Sequence, residues 1–92
     1  MKVKVKFLLW LSDKAGTSSE ELVIQGRDEV TLRQLLLELS SSKPQLSRII
    51  EDMLSGRSDI IVLVDSKTPT RGLETPIRDG AEVVLMPPVS GG

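Results

Sequence analysis

The sequence predicts an α+β domain: a mixed sheet of four or five strands, with one main helix and a second short helix on one face. Three observations carry this. Val3, Val5, Phe7, Leu9 and Leu11 alternate with Lys2, Lys4 and Lys6 at the start of the chain, the period of a strand with one buried face. Leu32, Leu35, Leu36 and Leu39 recur at the spacing of an amphipathic helix. Two further strand-like segments, the apolar run Ile60–Val64 and Glu82–Met86, follow that helix.

In chain order, the first strand takes Val3 to Leu11 and turns through Ser12–Ser19, a stretch of small, polar and charged residues with Gly16. Glu20–Gln25 resumes as a strand with Leu22 and Ile24 inward, so the first twenty-five residues read as a β-hairpin with a long connection. Thr31 and Gln34 fit a capping box. Val30 and Leu35 occupy the two positions of a hydrophobic staple. Ser40-Ser41-Ser42 loosens the helix, and Pro44 can open a second short one carrying Leu46, Ile49, Ile50, Met53 and Leu54. Gly56 is placed to end it in the left-handed conformation. Ile60–Val64 reads as a central strand buried on both faces. Residues 66–78, with two prolines and Gly72, read as irregular with a minor edge strand. Asp79-Gly80 turns the chain into the last strand, which Pro87-Pro88 ends because proline has no N–H for a ladder. The whole length, residues 1–92, is then one folding unit with a flexible tail over 87–92. The order of elements is that of the β-grasp, or ubiquitin-like, arrangement. In that arrangement the first and last strands lie parallel at the sheet centre.

Composition narrows the function. Twelve basic residues against thirteen acidic ones leave no field to attract a nucleic-acid backbone, and one Trp, one Phe and no Tyr give few stacking platforms. Cys and His are both missing, which removes thiolate and imidazole metal ligands and the usual general base. No metal site and no bound cofactor is expected. No apolar run approaches the ~20 residues of a bilayer span, and the lysine-interleaved start is no signal peptide. The expectation is a cytoplasmic protein poorly equipped for catalysis of its own. Arg57, Arg71 and Arg78 read as solvated charges, and Asp59 and Asp65 as turn residues.

The chemistry concentrates at the end of the chain. Gly91 and Gly92 carry no Cβ, so a tip ending in their carboxylate can enter an active-site channel closed to any side chain. Pro87-Pro88 stiffens the base of that tip and lowers the cost of ordering it. Beside it, the strand alternation places Leu8 and Trp10 on the lysine-bearing face of the first strand. Val84 and Met86 lie on the corresponding face of the last. With the two strands adjacent, these four form an exposed apolar patch suited to docking.

The stretch from Asp79 through Val83-Val84-Leu85-Met86-Pro87-Pro88-Val89-Ser90 to Gly91-Gly92 resembles the C-terminus of the small subunit of molybdopterin synthase. Ala81 stands where that family more often has an acidic residue. The resemblance implies that the Gly92 carboxylate is adenylated with ATP by an activating enzyme akin to a ubiquitin-activating adenylyltransferase, and is then converted to a thiocarboxylate. It also implies docking on a large catalytic subunit that uses the sulfur to build the dithiolene of the molybdenum cofactor, with Leu8, Trp10, Val84, Met86, Pro87, Pro88 and Val89 toward partners. A chain without Cys cannot trap the activated acyl group itself, so sulfur has to come from outside. Two alternatives use the same tip. One is a protein modifier joined through Gly92 to lysines. The other is a sulfur carrier for another pathway, such as thiazole, tRNA thiolation or cysteine synthesis; Pro-Pro-Val speaks against the thiazole role and for the molybdopterin synthase resemblance.

Overall fold

The structure, a computed structural model, describes residues 1–88. β1 (Lys2–Phe7) leads through α1 (Trp10–Ala15) to β2 (Ser19–Val23). β3 (Glu29–Thr31) runs directly into α2 (Leu32–Ser42), and a 3-10 turn at Pro44–Leu46 leads into α3 (Ser47–Leu54). β4 (Ile61–Val64), a 3-10 turn at Gly72–Glu74, β5 (Pro76–Arg78) and β6 (Glu82–Met86) complete the order. The main sheet has the order β2-β1-β6-β4, with β1 and β6 parallel at its centre and the outer pairs antiparallel. This is the β-grasp arrangement.

The inner face of the sheet and the helices share one core. Val3, Val5 and Phe7 of β1 and Val83 and Leu85 of β6 are buried together with Leu32, Leu35, Leu36 and Leu39 of α2 and Leu46 and Ile50 beyond it. Helix α2 begins where the sequence signals it. The Thr31 hydroxyl accepts from the Gln34 N–H at 3.1 Å, and the Gln34 side chain accepts from the Thr31 N–H at 2.9 Å. Such a cap is worth about 1 kcal/mol. Gly56 has the expected left-handed backbone, φ 78°, just beyond α3. The Asp79-Gly80 turn ties the two central strands together: the Asp79 carboxylate accepts from the Lys2 N–H at 2.7 Å, and the Gly80 N–H donates to the Lys2 carbonyl at 2.8 Å. The Asp65 carboxylate holds the start of β6 by accepting from the Glu82 N–H at 2.9 Å.

Three expectations are corrected. The first strand stops at Phe7 rather than Leu11, because Leu9 takes φ 55°, ψ −135° and breaks the ladder. The Leu8 carbonyl then accepts from the Leu11 N–H, and the Leu9 carbonyl accepts from the Ser12 N–H and hydroxyl, so the chain winds into α1. Leu11 is still buried, but from a helix alongside Ala15, whereas Leu9 is exposed. Gly16 ends this helix in the left-handed conformation. Second, β4 is an edge strand and not a central one; Ile61 on its outer face is 40% exposed. Third, the short strand expected within 66–78 leaves the main sheet: β5 pairs with β3 in a separate two-stranded sheet beside the start of α2.

Candidate functional site: the outer sheet face and the tail root

The strand register arranges the outer face in rows. Val84 of β6 lies between Lys6 of β1 and Leu63 of β4, and Met86 lies beside Ile61. The Leu8 N–H donates to the Leu85 carbonyl at 3.0 Å, extending the β1–β6 ladder by one residue and bringing Leu8 level with Met86. The row nearest the tail is therefore Leu8, Met86 and Ile61, and the next is Lys6, Val84 and Leu63. The following row is charged, with Glu21, Lys4 and Glu82 side by side. Lys6 and Glu82 form an exposed ion pair of 3.3 Å at the boundary. One sheet face is thus split into a charged half and an apolar half, and the apolar half sits where the chain leaves β6.

Leu8, Val84 and Met86 come together as expected from the alternation: Leu8 is exposed, Val84 and Met86 half-exposed. Trp10 does not belong to that row. It lies on α1, half its surface exposed, and lines a groove that Ile49, Ile60 and Pro88 also line. It flanks the tail root from the helix side of the sheet end rather than from the strand face. Pro87, expected among the partner-facing residues, is fully buried. Its ring is packed into the body, so it holds the chain at the end of β6 instead of presenting a surface. Pro88 is exposed. Val89, Gly91 and Gly92 lie outside the described residues.

The structure adds three residues to the apolar end: Leu9, Ile61 and Leu63. Leu9 is 61% exposed, and its positive φ is a conformation that side-chain-bearing residues adopt at a cost of about 1–3 kcal/mol. Holding a leucine there turns a large apolar side chain toward solvent next to Leu8 and Trp10. An all-apolar run hides which face of Ile60–Val64 is solvated, so Ile61 and Leu63 leave no mark in the pattern. The same strand's partner, β6, was the usable signal, since its outer residues are apolar too.

Among the described residues no group of three or more His, Cys, Asp or Glu side chains is disposed to hold a metal. No helix there is long and apolar enough to cross a membrane. This end of the molecule offers a contiguous apolar face beside Pro87 and Pro88, where the chain leaves β6.

Comparison with known proteins places this geometry. No curated protein sequence matches the chain. Among solved structures, it is similar to small archaeal modifier protein 1 from Haloferax volcanii, with 30% identity, full coverage of both chains and a TM-score of 0.80. The solution structure of the small archaeal modifier protein 1 from Methanosarcina acetivorans is also 30% identical, covering 99% of this chain and 96% of that one, with a TM-score of 0.76. A complex of subunits 1 and 2 of the molybdopterin-converting factor from Helicobacter pylori contains a chain 21% identical over the full length of both, with a TM-score of 0.63 and hence alike in fold. The model of the ThiS family matches residues 5–92, nearly the whole sequence. With its β-grasp sheet and a match of that extent, the chain belongs to the ThiS family of ubiquitin-like sulfur carriers.

Proposed function

We propose that this chain is the sulfur-carrying subunit of a molybdopterin synthase, working through a carboxylate at Gly92. The single observation that supports this best is the apolar row Leu8–Met86–Ile61 at the end of the sheet from which the tail departs. A carrier has to be gripped by its body while its tip is inside another protein's active site, and a grip beside the tail root serves that purpose. The assembly of subunits 1 and 2 in the similar Helicobacter pylori factor speaks for a large-subunit partner.

In the proposed cycle the Gly92 carboxylate, ionised at neutral pH, attacks the α-phosphate of ATP on a separate activating enzyme and pyrophosphate leaves. Sulfur delivered at the sulfide level, as hydrosulfide, then attacks the acyl carbon, AMP departs and a thiocarboxylate remains. Splitting the substitution this way replaces a poor acyl donor by an activated one. The catalytic groups belong to the partners, and this chain supplies the acyl group, the slim tip and the docking face. The proposed site of action is the cytoplasm, where ATP is available for the activation step.

A second reading has its own support: the neighbours that are 30% identical are small archaeal modifiers, above the 21–22% of the molybdopterin-converting factors. In that reading the same adenylated Gly92 is transferred to lysine amines. Intact-mass analysis of the chain, produced together with its activating enzyme, separates these. Exchange of one oxygen for sulfur at Gly92 is expected, and removing Gly92 is expected to abolish it while the amide spectrum of residues 1–88 stays the same. A chain recovered instead in isopeptide linkage to lysines, with no thiocarboxylate, overturns the carrier reading in favour of the modifier.

A further inference from the structure

The sheet has an open edge opposite β4. Among the described residues β2 is an edge strand, paired only with β1. The Ile24 N–H and carbonyl bond to Met1, and the Phe7 N–H bonds to the Ser18 carbonyl. This phasing turns the backbone groups of Glu20 and Leu22 toward β1 and those of Ser19, Glu21 and Val23 toward the open edge. Ser19 is closed locally, its N–H and carbonyl both engaged by the Thr17 hydroxyl. The outward N–H and carbonyl groups of Glu21 and Val23 have no partner among the described residues. Alongside runs a groove between β2 and α2, lined by Leu22, Val23, Ile24, Ser41, Glu21 and Glu38, whose charged lining is entirely acidic. Val23 is 57% exposed and Leu37 is half exposed.

We infer that the β2 edge accepts an extended segment of a partner protein in which lysine or arginine alternates with β-branched residues, added as a fifth strand. Unpaired main-chain groups supply the attachment, and alternating side chains supply the selection. The molecule carries a template for this chemistry on its other side: β1 reads Lys-Val-Lys-Val-Lys and sets Lys4 across from Glu21 on the outer face. Charge decides the occupant. A second copy of the chain would gather the Glu21 and Glu38 carboxylates of both molecules along one seam, and β2 itself carries no cation to answer them. Acidic side chains close the edge to like strands and leave it open to basic ones. This site is remote from the apolar row at the tail root, so it does not depend on which acyl chemistry the tail performs.

The test is a titration of the full chain, followed by amide NMR, with the blocked peptide Lys-Val-Lys-Val-Lys-Val. The amides of Glu21 and Val23 are expected to shift and to gain protection from exchange, with binding that weakens as salt is added, while Leu8 and Met86 stay unperturbed. Val23→Pro removes one outward donor without touching the β1–β2 ladder and is expected to weaken binding at least tenfold. The amides of Leu22 and Ile24, which donate inward, report whether that variant is folded. Glu21→Lys with Glu38→Lys, which keeps every backbone donor, is expected to lose binding to a similar extent. Absence of shifts at Glu21 and Val23 overturns the proposal, as does equal binding of a peptide with Glu in place of Lys. Protection of the same amides that rises with protein concentration alone also overturns it, in favour of a second copy.

Discussion

Strand β6 has two faces that use the same kinds of residue for different ends. Val83 and Leu85 point inward and are buried against the helices, whereas Val84 and Met86, one position along, point outward and remain half-exposed. Hydrophobicity does not separate the pairs; the strand's period of two does. A solvated face of an edge or central strand is usually polar, as β1 shows with Lys2, Lys4 and Lys6. Where β6 and β4 break that habit, they do so only at the end of the sheet from which the tail leaves. The inner pair holds the fold together, and the outer pair remains partly exposed on the face proposed for docking.

The sharpest way to break this comparison is to alter adjacent residues of the one strand. Leu85→Ala removes a side chain that is 3% exposed and is expected to cost about 2–5 kcal/mol in denaturant-induced unfolding. Met86→Glu is expected to change stability by only about 0.5 kcal/mol, as surface substitutions do. Its effect should appear in binding: affinity for the large-subunit partner proposed above, measured by calorimetry, is expected to fall at least tenfold. Equal loss of stability in the two variants would mean that the outer face is also core.

How well the sequence discloses this division varies along the chain. The capping box at Thr31 and the leucine stripe of α2 are local signals with strict spacing, and they appear where they were read. The parallel pairing of β1 with β6 followed from element order, since one economical topology accommodates it. The run Phe7–Leu9–Leu11 misled because its alternation fits a strand, while Leu11 and Ala15 equally fit a helix. A helix of six residues has too few positions to show its period. The decisive event is the backbone at Leu9, where a positive φ occurs without a glycine to announce it. The edge position of β4 was hidden because five consecutive apolar residues read the same whether one face or both are covered. β3 is three residues long, too short for any pattern. Burial of Pro87 depends on where the body ends, which local sequence does not encode.

Leu9 sharpens the comparison in the other direction. Leu9→Gly relieves the positive-φ strain, at the cost of greater freedom in the unfolded chain, and is expected to raise stability by roughly 1 kcal/mol. The same change deletes an exposed apolar side chain beside Leu8 and Trp10, so affinity for the proposed large-subunit partner is expected to drop. A thermal melt and a binding isotherm on one variant check both. Higher stability with weaker binding is the outcome expected of a residue kept for recognition. If stability rose and binding were unchanged, Leu9 would have to be removed from the docking face.

The smallest effect is expected at the boundary between the two halves of the outer face. Lys6 and Glu82 pair at 3.3 Å, but both side chains are more than a third exposed, which limits such a pair to under about 1 kcal/mol. Lys6→Ala is therefore expected to destabilise by a few tenths of a kcal/mol in dilute buffer. Near 1 M salt, where the screening length falls to about 3 Å, the difference from the parent chain should nearly vanish. Lys6 lies level with Val84 and one row from Leu8, so the same variant uncovers more of the apolar row. If the pair matters chiefly as a border, Lys6→Ala will leave the fold intact and broaden what the face binds. That broadening is readable as weaker discrimination between the large-subunit partner and an unrelated apolar surface. A salt-independent loss of stability would instead place Lys6 in the fold's own energetics, and the division of the outer face would rest on the apolar row alone.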